Sequence, residues 1–395
     1  MSVTNRVFTG GASCLFYTAG DKLALALLTH YFRIFLVGSS GTFFRLTCRR
    51  LLGILAAIEM ARKTPPLELS RSQILCFRRR VGSLDERLPA GTKSLRQAAW
   101  SGLQDSMPRA ALLSIHARIE GADSTSWEHP SLVQLWGPRY SDYVVAAQDL
   151  PLFSLGRLPE DPRRRARPQD TAARLHAFLD GRRMPFGQAG RAMGVSPNSL
   201  RYAAPTGSVL LRWDGSRQPV VWTVPPPDMD PWQARLELAR RYLHVFGPAM
   251  PAMFAGWAGI GRAEARAAFQ GLAGSLTPVR TPVGDAWILS DDEKGFRSQP
   301  GPVAPARLLP SGDSYSLLWG ADREIFVPDP KRRAALWTTR VWPGAVLVGG
   351  EIAGVWRRSA GDVLIDLWRR LSRAEWAAVQ AEALSLPLPG PITLS

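Results

Sequence analysis

Apolar positions fall into helical spacing from residue 70 onward. Ser70-x-x-Gln73 has the form of a capping box, and Ile74, Leu75 and Phe77 follow it, so a helix is predicted up to Gly82. A second helix is predicted from about Ser94 through Leu95, Ala98, Ala99 and Leu103. A third starts with Pro108 in the favoured first turn and continues through Ala111, Leu112, Ile115 and Ile119 to Gly121. The period then changes to two at Tyr140-Ser-Asp-Tyr143-Val-Val, which predicts a strand.

The same order returns twice. Residues 160–168, Glu-Asp-Pro-Arg-Arg-Arg-Ala-Arg-Pro, read as a linker. Asp170 or Thr171 then caps a helix with Leu175, Phe178 and Leu179 inside, ended by Gly181. Gly190 to Leu200 follows helix-turn-helix grammar. Gly190 lets two helices approach, Gly194 takes the turn, Ser196 caps the second helix, Pro197 starts it and Leu200 packs it down. A hairpin joins Val209–Trp213 to Val220–Val224 through Asp214-Gly215, with Arg212 and Arg217 around its tip. The third copy has a helix from Asp230 through Leu236, Ala239, Leu243 and Phe246, a turn at Gly259-Ile-Gly261, and a hairpin from Leu276 to Leu289. The glycines of that turn also fit a phosphate-binding helix-hairpin-helix. A plain tight turn is the favoured reading, because short Gly patterns are common by chance.

Three helices and a strand or hairpin make a winged helix. The expected fold class is therefore α+β, with three tandem winged-helix domains at 68–159, 169–225 and 229–290. Residues 290–305 read as linker. A β-rich domain at 304–395 follows, with a hairpin turning at Gly349-Gly350, a strand over Asp362–Trp368 and a terminal helix capped by Ser372-x-x-Glu375. Residues 1–67 are set apart as an N-terminal extension. Its apolar run Leu23–Leu36 is broken by His30 and Arg33, too short for the ~20 residues of a membrane span and placed wrongly for a signal peptide. Met60 opens a stretch like an ordinary protein start, so residues 1–59 read either as an over-extended start or as a weakly ordered extension.

Composition narrows the function. The 395 residues are 46% hydrophobic and 21% charged, enough for packed cores. The net charge is +16, carried by 44 Arg and only 5 Lys, and points to a polyanion, double-stranded DNA first. Three cysteines exclude a disulfide scaffold and a Cys-rich zinc module. The five histidines have no ligand spacing, and neither a Walker loop nor a Gly-x-Ser-x-Gly elbow is present. No metal, cofactor or membrane partner is expected, and the expected location is the bacterial cytoplasm, at the nucleoid. His116, at helical spacing beside Leu112 and Leu113, reads as packed rather than as a base. Trp136, Trp213, Trp222 and Trp257 read as core before they read as base-stacking platforms.

The junction Gly102-Leu-Gln104-Asp105-Ser106-Met-Pro108-Arg109-Ala-Ala crowds polar groups into apolar surroundings. With it, the chain resembles the tandem winged-helix bacterial DNA glycosylases, AlkZ-like and YcaQ-like. The further residues carrying the resemblance are the strand from Arg139 through Val145 to Asp149-Leu-Pro151, Leu308-Leu-Pro310, Asp322-Arg323-Glu324 and Gly344 to Gly350. The resemblance covers roughly residues 68–390. It implies winged helices around a concave DNA channel and hydrolysis of the N-glycosidic bond in alkylated or crosslinked DNA.

The family's signature is Gln-x-Gln or Gln-x-Asp. Gln104 matches its first position and Ser106 departs at its second. Asp105 is the one carboxylate in the junction, and stands either as a replacement base or as a cap for the following helix, along with Gln104 and Ser106. Gln104, Asp105 and Ser106 are thus the catalytic candidates. The DNA-binding candidates are Arg109, Arg139, Ser196, Asn198, Arg201, Arg212, Arg217, Arg262 and Arg266. A non-catalytic, damage-sensing or regulatory DNA-binding protein is the alternative.

Overall fold

A computed structural model describes residues 66–215, 218–299, 301–359, 362–388 and 393–394. The start near Met60, the 1–59 segment and Arg217 lie outside the described residues. Residues 66–395 form one compact unit.

The chain enters through β1 (Leu67–Glu68) and α1 (Arg71–Val81), whose Ser70/Gln73 capping box forms as expected. α2 (Thr92–Ala98) ends earlier than its apolar spacing suggests. After it the chain straightens into β2 (Leu103–Gln104), so the junction read as a helix connection is an extended segment. α3 (Ala110–Arg118), β3 (Leu132–Trp136), β4 (Asp142–Ala146) and α4 (Leu150–Ser154) follow.

Residues 160–168 are not a linker. Residues 162–168 open the 18-residue α5 (Pro162–Leu179), whose cap is Asp161, bonded to the Arg164 N–H at 2.9 Å, and not Asp170 or Thr171. The signal was Asp-Pro, an N-cap followed by a proline whose missing N–H costs nothing in the first turn. β5 (Met184–Pro185) leads into α6 (Phe186–Ala192). Gly194 takes the turn with φ +67°, and Gly190 does permit close approach: a Cβ there would sit 2.6 Å from Pro197 Cα. Residues Pro197–Thr206 wind as a tighter 3₁₀ helix, and Ser196 makes no side-chain cap. Two prolines and short polar side chains disfavour a regular α-helix there.

β6 (Val209–Arg212) and β7 (Val220–Thr223) form the second hairpin. α7 (Pro231–Phe246), capped by Asp230, α8 (Pro251–Ala258) and α9 (Arg262–Gly271) precede the third, β8 (Leu276–Thr281) with β9 (Gly284–Leu289). The segment expected to be linker from 290 holds a short helix, α10 (Glu293–Arg297). The C-terminal part comprises β10 (Ala306–Leu309), α11 (Asp322–Phe326), α12 (Pro330–Leu336), β11 (Gly344–Val348), β12 (Glu351–Ser359), β13 (Asp362–Leu367), α13 (Arg373–Leu384) and β14 (Thr393–Leu394). Its sheet runs β10-β11-β12-β13-β14, and the Gly349-Gly350 turn and the Ser372/Glu375 cap are as expected.

Two sheets cross the boundaries read from sequence. β1 pairs in parallel with β8, and Phe77 of α1 stacks on Phe296 of α10 at 3.8 Å, so the first helix packs with the third hairpin. The first and second copies share one sheet, ordered β2-β4-β3-β6-β7-β5, joined where Gln134 faces Leu211. Trp136 and Trp257 are fully buried core, and His116 is buried, its pKa lowered by burial to about 4. Among the described residues no helix is long and apolar enough to cross a membrane.

Candidate active site

β2 hydrogen-bonds to β4, with Gln104 opposite Tyr143. An extended chain alternates its side chains, so residues two apart share a face. Gln104 and Ser106 do so: Gln104 Nε2 donates to Ser106 Oγ at 3.1 Å. The amide oxygen of Gln104 accepts from Arg139 Nη2 at 2.9 Å and from the Tyr143 hydroxyl at 3.4 Å. Burial pushes the Tyr143 phenol up to about 12, so it stays a donor. Arg139 adopts the left-handed conformation (φ 55°) in the turn before β4, and its guanidinium lies 4.4 Å from the Trp319 ring centroid. Gly312 (φ +77°) backs the amide: a Cβ there would stand 3.0 Å from Gln104 Cδ. Its loop is pinned by the buried pair of Arg118 and Asp313 at 2.7 Å. Three separate pieces of chain therefore fix one glutamine.

Asp105 faces the other way. It is 1% exposed, and its Oδ1 accepts the Ala111 N–H at 2.9 Å in the first turn of α3. Its Oδ2 accepts from Gln134 Nε2 at 3.0 Å, and Gln134 Oε1 in turn accepts the Trp213 N–H at 2.8 Å. Burial pushes this carboxyl up to about 7, although the Ala111 amide and the Arg109 charge favour its ionised form. Of the two roles left open by the sequence, the capping one describes Asp105. It does not join Gln104 and Ser106. Neighbouring Asp142 is also raised by burial, to about 6.

The arginines divide. Arg109 (φ 67°) sits before α3, donates to the Asp214 carbonyl and lies 4.2 Å over Trp127. Arg212 lies 4.2 Å over the same indole and pairs with Glu128 at 2.6 Å. Arg201 is half-buried against Trp136 and Phe186, both 5.9 Å away, and so is turned inward. Ser196, Asn198, Arg262 and Arg266 are exposed. The Gly261 N–H donates to Glu264 Oε2 at 2.7 Å, so a carboxylate of the same helix already occupies this amide. Sequence reasoning missed Gln134, Gly312 and Trp319. Gln134 had a signal, being the lone polar residue within Leu132–Trp136. Among the described residues no group of three His, Cys, Asp or Glu side chains could hold a metal.

A mixed α+β fold with a paired Gln and Ser on a sheet edge, held by an arginine, is the setting in which the relatives enter. The family model for DNA glycosylase AlkZ-like proteins matches residues 98–386, so the chain belongs to the AlkZ-like DNA glycosylase family. Among solved structures, the Streptomyces sahachiroi DNA glycosylase AlkZ matches with a TM-score of 0.67 at 18% identity, covering 83% of this chain and 100% of that one. No curated protein sequence matches.

Proposed function

We propose that this chain is a DNA glycosylase-like enzyme that hydrolyses the N-glycosidic bond of alkylated or crosslinked nucleotides in duplex DNA, through three winged-helix units arranged around a DNA channel. The observation that carries the proposal is the immobilised Gln104 amide beside Ser106. An N7-alkylated purine already bears positive charge and leaves readily, so orienting a water beside the sugar suffices for acceleration. Gln104 has its oxygen committed to Arg139 and Tyr143, which leaves an amide N–H for orientation. Ser106 Oγ keeps a lone pair and its own proton. Asp105 acts as a positioning residue, holding the start of α3 behind the segment. The exposed arginines and the Ser196 and Asn198 edge supply phosphate contacts, with Arg201 in a packing role.

The alternative, a DNA-binding protein without chemistry, draws on one observation: among the described residues, no carboxylate is hydrogen-bonded to Gln104 or Ser106. Single-turnover release of N7-methylguanine from duplex DNA, with protein in excess, separates the two. A rate above spontaneous depurination, raised further in Ser106→Gln, is expected. Tight DNA binding with no release by either protein sinks the enzymatic reading.

A further inference from the structure

α5 opens with a run of four arginines, three of them exposed. Its buried face is Pro168, Ala172, Leu175 and Leu179. Arg165 has a structural task, donating to the Pro159 carbonyl at 2.8 Å. Arg163, Arg164 and Arg167 are exposed. The first turn itself holds no acidic residue, and the carboxylates beside it, the Asp161 cap and Glu264 at 3.7 Å from Arg164, are fewer than the arginines. Cations there oppose the helix dipole, so the run weakens the helix unless an anion joins it.

Arg164 and Arg167 connect toward the candidate site through a chain of contacts. Arg164 Nη1 lies 3.7 Å from Glu264 Oε1 and 3.4 Å from the position of a Cβ on Gly261. The Arg167 guanidinium lies 4.3 Å from the Tyr202 ring, which meets Tyr140 edge-on at 5.2 Å. Tyr140 directly follows Arg139, the residue that holds Gln104. Gly259 closes the circuit, since a Cβ there would sit 3.1 Å from the Arg139 nitrogen. A continuous path therefore runs from Gln104 over Arg139, Tyr140 and Tyr202 to Arg167.

We propose that Arg163, Arg164 and Arg167 form a ridge that binds the sugar–phosphate backbone of DNA flanking the nucleotide at Gln104, with exposed Tyr202 packing against that strand between the ridge and the site. The proposal rests on the DNA-substrate reading above and extends it to a surface outside the three hairpins. The ridge sets affinity and register and touches no reacting atom.

The test is the salt dependence of duplex binding by the full chain carrying Arg163→Gln, Arg164→Gln and Arg167→Gln together. Each phosphate contact contributes about 0.9 to the slope of log K against log salt, so the slope should become shallower by about 2 to 3. The melting temperature should change little, because relief of the dipole conflict offsets the lost Arg164–Glu264 and Arg167–Tyr202 contacts. Arg163→Glu alone, a change suited to a first turn, should flatten the slope by at least one contact. Lys331→Gln, Arg370→Gln and Arg373→Gln together supply the same charge loss elsewhere and should leave the slope near wild type. An unaltered slope in the ridge variants, or an equal loss in the second set, overturns the proposal. Binding needs no chemistry, so a wild type inert on alkylated DNA removes the glycosylase reading while the slopes still decide this one.

Discussion

Arg139 donates to the Gln104 amide oxygen at 2.9 Å while its guanidinium rests 4.4 Å from the Trp319 ring. The arginine is thus a spacer between an aromatic wall and the catalytic candidate. Its planar head serves both faces at once, which a lysine ammonium cannot do. Gln104→Ala and Arg139→Lys should each lower single-turnover base release by about 10²-fold, near the lower end of what a positioned proton-transfer group supplies. DNA affinity should stay within about threefold for Gln104→Ala, because phosphate contacts carry it. Release unchanged in Gln104→Ala removes the residue from the chemistry.

Arg212 is held more tightly than a free probe at a hairpin tip. It pairs with Glu128 at 2.6 Å and lies over Trp127, which Arg109 also covers. A cation already neutralised in this way releases less counterion on binding DNA. Arg212→Ala should therefore shift the log K against log salt slope by less than one unit. A shift of a full unit or more, measured by fluorescence anisotropy across salt concentrations, would show that the Glu128 pair opens on DNA.

What was legible in the sequence follows from local physics. The capping boxes at Ser70 and Ser372, the Asp230-Pro231 start, the Gly194 turn and the Gly284 hairpin all obey rules confined to a few residues. The Asp161-Pro162 cap obeyed the same rule, but the arginines behind it masked a helix as a linker. Gln104 was legible as a candidate through family likeness. Its geometry was not, because a two-residue strand is specified by its partner Tyr143, 39 residues away, and not by any period of its own. Asp105 turned inward for the same reason: an extended segment alternates, where a helix would fan its side chains by about 100° each. The sharing of one sheet by two copies depends on the single Gln134–Leu211 pairing, which no short pattern announces.

Gly190 gives a packing test. A Cβ there would stand 2.6 Å from Pro197 Cα and 2.9 Å from its nitrogen, which are backbone and ring atoms that cannot swing aside. Overpacking of this kind commonly costs about 1–3 kcal/mol. Gly190→Ala should lower the melting temperature, whereas Gly274→Ala, where a Cβ meets nothing within 4 Å, should leave it nearly unchanged. Equal melting temperatures for the two variants would mean that the 3₁₀ segment starting at Pro197 shifts without cost.

Asp105 carries the pH dependence. Its carboxyl is raised by burial to about 7, from about 3.9 in an unfolded chain. Between those values the folded protein keeps a proton that the unfolded chain has lost, so stability falls as pH rises through this window and is flat above it. Asp105→Asn removes the titration while its amide oxygen can still cap Ala111. Wild type should therefore lose several degrees of melting temperature relative to Asp105→Asn between pH 5 and pH 7.5. Asp142, also raised, adds a smaller slope of the same sign and His116, lowered to about 4, one of the opposite sign, and both are common to the two proteins. The activity arm is independent of stability. Because the carboxyl points away from Gln104 and Ser106, base release by Asp105→Asn should stay within about threefold of wild type. A loss nearer the 10²-fold of a missing general base would mean that the β2 edge rearranges on DNA and swings this carboxylate toward the sugar.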